Sequence, residues 1–361
     1  MRTMDKIRHS STAIMIITLG LIYLLPLIAS GSDMSQVDTD RAAENLSRAI
    51  QFKTISHYDS TQDDPAEFLG FIQFLEETYP LIHGTLIKEV VSDYSLLYTW
   101  QGSDPEAKPI VLMSHIDVVP IEPGTEDDWT YPPFEGRIAD GFIWGRGTMD
   151  VKCTLMGIME AVETLLAQGY KPPGTIYLAF GQDEEVGGSK GAEQMAALLK
   201  SRGVEAEYVL DEGGQIVSDL LPGMEKPASL IGIAQKGNLS LELTVEGEGG
   251  HSSIPPRHSA IGILCSVIHR LEKRQFPAEF GGATKQMFEH LAPEMEPPFN
   301  IIFGSALHFK ELIELLLPLL AEVANPTIRT VFSTTIFQAG TAANVLPQHA
   351  RAVVNFRILP G

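Results

Sequence analysis

The chain has 361 residues, of which 44% are hydrophobic, and a formal net charge of −20 at pH 7. This length and hydrophobic content suffice for two folded domains, which disfavours an intrinsically disordered chain. The negative charge disfavours nucleic acid and anionic membrane surfaces as partners, because the chain could not neutralise their phosphates.

The N-terminus has the layout of a secretory signal peptide. Arg2, Lys6 and Arg8 precede an apolar run at 13–29, and small residues follow it. An uncleaved signal anchor is the alternative, because the run is long for a signal peptide and short for a membrane span. We therefore predict that residues 1–31 are a signal peptide or signal anchor. The body of the protein is expected to be secreted or lumenal, as in a vacuole or lysosome, and to contact a membrane only if the leader is retained.

The next part of the chain alternates between helical and strand patterns. Helical spacing of apolar residues predicts helices over 38–56, 65–79, 151–168 and 189–202. Short apolar runs bounded by glycine, proline or charge predict strands over 95–100, 109–114, 175–180 and 207–210. Such alternation is typical of an α/β domain with a mostly parallel central sheet, which we assign to residues 38–230.

From residue 231 the pattern changes to that of an α+β domain. An alternating strand is followed by a helix over 258–273 and by two strands within 334–340 and 350–358. This order is most of a ferredoxin-like unit. Residues 274–328 are predicted to be an addition that contains one apolar helix. Because the chain ends directly after a strand, we expect the domain at 231–361 to be incomplete.

Two further residue types give weaker signals. Asn45 and Asn238 each begin a glycosylation sequon, which matters only in a eukaryotic host. Cys153 and Cys265 are predicted to be small buried residues without a disulfide bond. The fold is therefore expected to stand without covalent cross-links.

Acidic residues and one histidine follow four predicted strands of the first domain. The strand in VLMSHIDVVP ends with His115 and Asp117, which share a face because they are two residues apart on an extended chain. The segments WGRGTMDVK, AFGQDEEVGG and YVLDEGG supply Asp150, Glu184, Glu185, Asp211 and Glu212. Ligands of open α/β sheets bind beyond the carboxyl ends of the strands, and so many carboxylates would repel one another unless a cation lay among them. The sequence therefore predicts a metal centre.

The residue types narrow the choice of metal and roles. One imidazole with several carboxylates suits zinc or another borderline divalent ion, and two ions would use the ligands better than one. Asp117 is suited to orient a ligating His115. On an extended backbone, adjacent Glu184 and Glu185 would point apart, so that one binds metal while the other acts as general base.

Each of these residues also has a structural interpretation. His115 alone could be a satisfied buried histidine, and Asp150 could cap the following helix. The glutamate pair could favour the positive start of a helix, whereas Asp211 and Glu212 could be turn residues. Glu212 also remains open as the functional residue in place of Asp211.

Six segments carry a resemblance to a known family. In order, SHIDVVP, GRGTMDVK, DEEVGG, DEGG, GEGGHSSIPP and GTAANVLP resemble segments of the co-catalytic dizinc peptidases, the family of carboxypeptidase G, aminoacylase and acetylornithine deacetylase. The likeness covers about residues 40–361 and is strongest to the branch of vacuolar carboxypeptidase S and secreted N-fatty-acyl-amino-acid synthase/hydrolases. It implies a zinc-exopeptidase-like catalytic domain with a ferredoxin-like lid and dimerisation domain.

The resemblance also implies roles for individual residues. His115 and Asp211 would bind one zinc ion, Asp150 would bridge, Glu185 would bind the second ion and Glu184 would be the general base. In the lid, His251 would reach the scissile carbonyl in the partner subunit's site, Asn344 would help to hold the substrate, and Arg357 would contact its carboxylate. A homodimer formed through the lid domain is therefore implied.

The implied activity is zinc-dependent hydrolysis of an amide bond adjacent to a free carboxylate. The substrate could be a peptide or an N-acyl amino acid, and the reverse, synthetic direction is open. In that family the chain returns to its first domain after the lid and supplies a final histidine ligand to the second zinc ion. This sequence lacks that histidine. We therefore expect a fragment of a longer protein. The alternative is a non-catalytic chain with an incomplete metal site that acts by dimerisation or binding.

Overall fold

The computed structural model describes residues 6–8, 37–218, 224–306, 308–320 and 322–360. The apolar run predicted to belong to a leader lies outside these ranges. Among the described residues, no helix is both long enough and apolar enough to cross a membrane.

The chain divides into two compact units, one ending at Ile216 and the other beginning at Val217. The boundary predicted near residue 230 therefore lies inside the second unit. Each unit has hydrophobic clusters of its own.

The first unit is built on a mixed sheet flanked by helices. Its strands are β1 (Lys6–Arg8), β2 (Ile87–Val91), β3 (Ser95–Trp100), β4 (Ile110–His115), β5 (Arg137–Ala139), β6 (Phe142–Trp144), β7 (Ile176–Gly181) and β8 (Tyr208–Leu210). Its helices are α1 (Thr39–Ile50), α2 (Pro65–Thr78), α3 (Pro80–Thr85), α4 (Cys153–Ala167) and α5 (Ala192–Ser201). Five strands form the central sheet in the order β2-β3-β7-β4-β8, and a smaller sheet has the order β1-β6-β5.

The three inner strands of the central sheet, β3, β7 and β4, are mostly buried, which explains why they read as continuous apolar runs, whereas the edge strands β2 and β8 are partly exposed. Leu96 and Tyr98 of β3 pack into the core formed with α1 to α4, whereas Leu97, between them, packs with Met195 and Leu199 of α5. The pairs β7-β4 and β4-β8 are parallel, whereas β2-β3 and β3-β7 are antiparallel. The predicted α/β class is confirmed, and the parallel part of the sheet is the part that carries the candidate site.

Local sequence explains where the first helices begin. The carboxylate of Asp38 caps α1 by accepting a hydrogen bond from the backbone N of Arg41. Asp64 caps α2 in the same way, and Pro65 occupies the first turn, where no backbone donor is needed. Helix α1 ends at Ile50, so the helix predicted over 38–56 is shorter than the pattern suggested.

The second unit contains a three-stranded antiparallel sheet and a separate helical cluster. From the junction onwards, the strands are β9 (Gln215–Val217), β10 (Ala228–Leu230), β11 (Gly237–Glu246), β12 (Gly250–His251), β13 (Val331–Ala339), β14 (Val345–Leu346) and β15 (His349–Ile358). The helices are α6 (Ala260–Glu272), α7 (Gly282–Leu291), α8 (Phe299–Gly304) and α9 (Lys310–Leu320).

The sheet and the helical cluster have different cores. In the sheet order β11-β15-β13, Leu264 of α6 packs on Ala350 and Ala352 of β15. The predicted addition at 274–328 has its own core, in which the rings of Phe288 and Phe303 stack with centroids 4.2 Å apart.

One weak signal and one minor prediction can be compared with the structure. Asn45 is buried and its side-chain amide donates a hydrogen bond to Glu160 at 2.6 Å, so this sequon is not accessible in the folded chain. Cys265 is exposed rather than buried, because it lies on the open face of α6.

Candidate functional site

The candidate site begins at the carboxyl end of β4. Strand β4 runs parallel to β7 on one side and β8 on the other, so the segments that follow the three strands start at the same edge of the sheet. His115 is the last residue of β4 and is 2% exposed, and Asp117 is fully buried two residues later. The two residues quoted from the sequence are thus fixed in the interior rather than held on a free loop.

The imidazole of His115 faces several carboxylates. Its Nε2 lies 3.1 Å from Asp150 Oδ1, 3.0 Å from Glu212 Oε2 and 3.9 Å from Glu184 Oε2. Burial disfavours the charged imidazole, but contacts with the carboxylates of Asp117, Asp150 and Glu212 outweigh this effect and raise the pKa of His115. A single imidazole therefore lies among several carboxylate acceptors, and this environment suits a bound cation.

Asp117 supports the site in two ways. Its backbone carbonyl oxygen lies 2.9 Å from Nδ1 of His115 and fixes the ring, whereas its carboxylate Oδ1 is 3.3 Å away. The carboxylate accepts hydrogen bonds from the backbone N of Glu184 and of Glu185, each at 3.1 Å, and from Ser56 Oγ at 2.5 Å. Asp117 therefore connects the end of β4 to the segment that follows β7.

Glu184 and Glu185 lie in a tight turn. They belong to a 3₁₀ turn over Glu184–Val186, and not to the extended backbone assumed from the sequence. Because both amides turn toward Asp117, the two carboxylates converge on His115 instead of pointing apart. Burial raises the pKa of both glutamates, that of Glu185 to about 7.

Asp150 comes from the loop between β6 and α4. The loop turns at Gly147, whose φ is +79° and where a Cβ would lie 2.4 Å from Val118 Cγ1, so a side chain would clash. The peptide bond between Asp150 and Val151 is cis. Helix α4 begins only at Cys153, and Asp150 does not cap it. The hydrogen bond with His115 lowers the pKa of Asp150.

Two sets of potential ligands share His115. The first contains Glu184 and Glu212, the second contains Asp150 and Glu185, and within each set the ligand atoms lie within 4.8 Å of one another. Imidazole and carboxylate oxygens are suitable donors for zinc. Glu212 Oε2 is buried, and among the described residues it lies 3.0 Å from Nε2 of His115 without a well-aligned hydrogen bond, as expected of an acceptor meant for a cation. The residues present therefore fit a divalent metal ion.

Asp211 does not join these sets. It is exposed, and its Oδ1 accepts a hydrogen bond from the backbone N of Glu212 at 2.9 Å. The structure thus brings Glu212, rather than Asp211, to His115. Nothing in the sequence DEGG distinguishes the two neighbouring acids.

Within the second unit, the backbone brings His251 and Asn344 together. Strand β12 ends at His251 and pairs with β14, which begins one residue after Asn344, and the backbone N of Ser252 donates to the Asn344 carbonyl at 3.0 Å. Both residues are exposed, as is Arg357 in β15. The backbone N of Ser253 donates to Nδ1 of His251, so a neutral ring carries its proton on Nε2.

Sequence analysis missed two buried residues near the site. Ser56 donates to Asp117, as described above. Lys152 is fully buried two residues after Asp150, and burial lowers its pKa to about 7. The available signal for Lys152 is its position between Val151 and Cys153 in an otherwise apolar stretch.

Solved structures of low identity share this fold. A metallo-carboxypeptidase of the M20 family from Sulfolobus solfataricus, Sso-CP2, superposes with a TM-score of 0.56 at 20% identity, covering 89% of this chain and 71% of that one. Human carnosine dipeptidase 1 has a TM-score of 0.55 at 17% identity, covering 96% and 72%.

The relatives identified by sequence have higher identities with this chain. Probable carboxypeptidase S-like 2 of Dictyostelium discoideum is 42% identical over 88% of this chain and 62% of its own length. The human N-fatty-acyl-amino acid synthase/hydrolase PM20D1 is 40% identical over 91% and 65%. Carboxypeptidase S of Saccharomyces cerevisiae is 35% identical over 87% and 57%. The chain spans less than two thirds of the length of each of these three relatives.

The family itself is identified over more than half of the chain. Residues 111–310 match the model of peptidase family M20/M25/M40. The matched region includes the acidic segments after β4, β7 and β8. The chain therefore belongs to peptidase family M20/M25/M40.

Proposed function

We propose that the protein is a zinc-dependent hydrolase, with two ions per subunit, that cleaves an amide bond adjacent to a free carboxylate. The observation that carries this proposal is the pair of ligand sets that share His115 above a fully buried Asp117. The relatives support the bond type, because a carboxypeptidase and an N-fatty-acyl-amino acid hydrolase are both named for such amide bonds.

The geometry and the resemblance together guide the ligand assignment. The contacts of His115 favour Glu212 as a ligand of the same ion, and Asp150 and Glu185 belong to the second set. In keeping with the resemblance, Glu185 would hold the second ion and Asp150 would be shared. Asp211, which the family resemblance favours over Glu212, is the alternative that paired variants distinguish. Zinc ions in this site would supply Lewis-acid activation of the substrate carbonyl and of a water molecule.

Glu184 is proposed as the general base. Its side chain is 52% exposed beside His115, and its backbone N is fixed by Asp117. A carboxylate so held can take a proton from the attacking water and deliver it to the leaving nitrogen. Asp117 has a positioning role, because its own carboxylate is occupied by three donors.

Three residues of the second unit are proposed to contact the substrate. With Nδ1 occupied by Ser253, His251 can donate a hydrogen bond from Nε2 to the carbonyl oxygen as negative charge develops there. Asn344 would hold the substrate beside it, and Arg357 would bind the substrate carboxylate through its guanidinium. In keeping with the resemblance, we propose that His251 acts in the site of the partner subunit.

A homodimer formed through the second unit follows from this assignment. Strand β11 supports it, because it lies at an edge of its sheet and most of its residues are exposed. We further propose that the predicted leader directs the protein into the secretory pathway. Light scattering of the intact protein tests the dimer, and N-terminal sequencing of secreted material tests whether the leader is removed.

The function is tested by metal analysis together with two substrate series. The intact protein should contain two zinc ions per subunit and should lose activity on chelation and regain it on zinc addition. C-terminal dipeptides and N-acyl amino acids with matched leaving residues would then rank carboxypeptidase against N-acyl-amino-acid hydrolase. Full activity in protein shown to be free of metal would contradict the proposal.

A further inference from the structure

We propose that Lys152 is a positioning residue for the metal centre, in that its buried amino group donates hydrogen bonds that hold the loop carrying Asp150 against the end of helix α1. The inference rests on the proposed metal-dependent function, and it adds a residue that touches neither the proposed ions nor the substrate.

The contacts of Lys152 are specific. The residue is 0% exposed, and its Nζ donates hydrogen bonds to the carbonyl oxygens of Ala49 at 3.1 Å and Phe52 at 2.8 Å. Nζ also lies 4.9 Å from the centre of the Phe71 ring, within range of a cation–π contact. No carboxylate forms an ion pair with Lys152 among the residues that the structure describes.

The location of these acceptors explains how an ammonium is tolerated there. Ala49 is in the last turn of α1 and Phe52 follows its end, where carbonyl groups carry the partial negative charge of the helix C-terminus. A buried ammonium without a carboxylate partner is nonetheless unfavourable. An apolar side chain would fill the same space without this cost, so we infer that Lys152 serves the loop and not only the core.

The loop that carries Asp150 contacts helix α1 at both of its ends. At its start, a Cβ on Gly145 would lie 2.4 Å from Ile50 Cγ2, so the backbone rests directly on the last residue of α1. At its end, the backbone N of Lys152 donates to the Gly147 carbonyl at 2.9 Å while its side chain reaches α1. Asp150 lies between these two points.

Asp150 depends on this backbone for its position. Its side chain is 65% exposed, so packing of the side chain itself does little to hold it. Its Oδ1 nevertheless lies 3.1 Å from Nε2 of His115. Releasing Lys152 from α1 should therefore loosen the approach of Asp150 to His115 and weaken metal binding.

The test separates positioning from general stability in the intact protein. Lys152→Met removes the hydrogen bonds and charge, whereas Lys152→Gln keeps two N–H donors on a shorter side chain. Leu75→Ala and Ile82→Val, two changes in the same hydrophobic core, are controls that bracket the loss of stability. Zinc affinity is measured by competition with a chromophoric chelator, and the melting temperature of each metal-free variant is measured in parallel.

Lys152→Met should weaken zinc binding by about 10-fold or more relative to core controls of equal melting temperature, as for other outer-shell changes, and Lys152→Gln should fall in between. The inference would be overturned if zinc affinity fell with melting temperature in the same way for the Lys152 variants and for the core controls. If Lys152→Met does not fold, Lys152→Gln against the controls decides. Failure of the wild-type protein to bind zinc would instead overturn the proposed function.

Discussion

The candidate residues of the two units differ in how the fold holds them. In the first unit, His115 and Asp117 are buried, and hydrogen bonds link Asp117 to the glutamate turn. In the second unit, His251, Asn344 and Arg357 are exposed. A metal site requires ligands that are fixed in advance, whereas an exposed hydrogen-bond donor acts only when a substrate or partner binds against it. We therefore expect changes at His115 and Asp117 to weaken metal binding, whereas changes at the exposed Glu184 and at the exposed residues of the second unit should lower activity without loss of metal.

The largest effect is expected for Glu184→Gln. The amide cannot accept the proton of the attacking water, so kcat should fall by about 10³-fold, while the zinc content stays unchanged. Steady-state kinetics and metal analysis of the same preparation measure both quantities. Glu193→Gln on the exposed side of α5 is the control. Near-normal turnover of Glu184→Gln would remove this residue from the mechanism.

His251→Ala should reduce kcat by about 10²-fold, the loss typical of an oxyanion donor, without changing zinc affinity. If His251 acts in the partner's site, mixing this variant with Glu184→Gln should restore about a quarter of wild-type activity, because half of the randomly formed dimers then contain one complete site. Absence of recovery after proven subunit exchange would show that His251 does not act across the dimer.

Asp117→Asn should affect both metal binding and stability. Asparagine keeps one acceptor oxygen, so one of the two partly buried backbone amides loses its acceptor, at a cost of about 1–3 kcal/mol. Zinc affinity should fall by about 10-fold to 100-fold because the glutamate turn is released. Chemical denaturation and chelator competition measure the two effects, with the exposed Asp59→Asn as control. Unchanged zinc affinity would contradict the connecting role of Asp117.

The choice between neighbouring acids is testable with a matched pair. Glu212→Gln should weaken zinc binding by about 10-fold or more, and Asp211→Asn should have a smaller effect, because only Glu212 approaches His115. Isothermal titration with zinc measures both. The opposite order of effects would favour Asp211 as the ligand and would mean that the turn rearranges when metal binds.

The smallest effect is expected at the surface of the first unit. Arg202 contacts Glu89 through two hydrogen bonds of 2.7 Å, which lower the pKa of Glu89. A lowered carboxyl pKa stabilises the fold above the pKa of the unfolded chain, and this stabilisation is lost as the pH falls through the folded value. Arg202→Met should therefore lower the free energy of unfolding only slightly at neutral pH, because an exposed ion pair is screened by solvent. The difference from wild type should disappear in acid, as measured by urea unfolding, and a loss that persists in acid would contradict this origin.

Much of the fold was predictable because its signals are local. The strand predicted over 109–114 corresponds to β4, and the helix predicted over 151–168 corresponds to α4. Both patterns arise from burial, because buried positions carry apolar residues and these can be read from the sequence. The antiparallel half of the central sheet was not predicted, because the order and direction of strands depend on contacts between distant residues.

The candidate site was predictable by residue type but not by geometry. The acids after β4, β7 and β8 could be identified because polar residues interrupt apolar strands. The tight turn at Glu184 could not, because it is set by the distant carboxylate of Asp117. Lys152 was missed for the same reason, since its acceptors lie about 100 positions earlier in the chain. The ligand roles themselves remain predictions.

The most direct test of the central claim is the anomalous X-ray scattering of crystals of the intact, active protein, measured at the zinc absorption edge. We predict two peaks per subunit, one within about 2.0–2.1 Å of His115 Nε2 and the other bound by Glu185, with the Asp150 carboxylate between them. A fully active crystal without anomalous peaks at these residues would contradict the account.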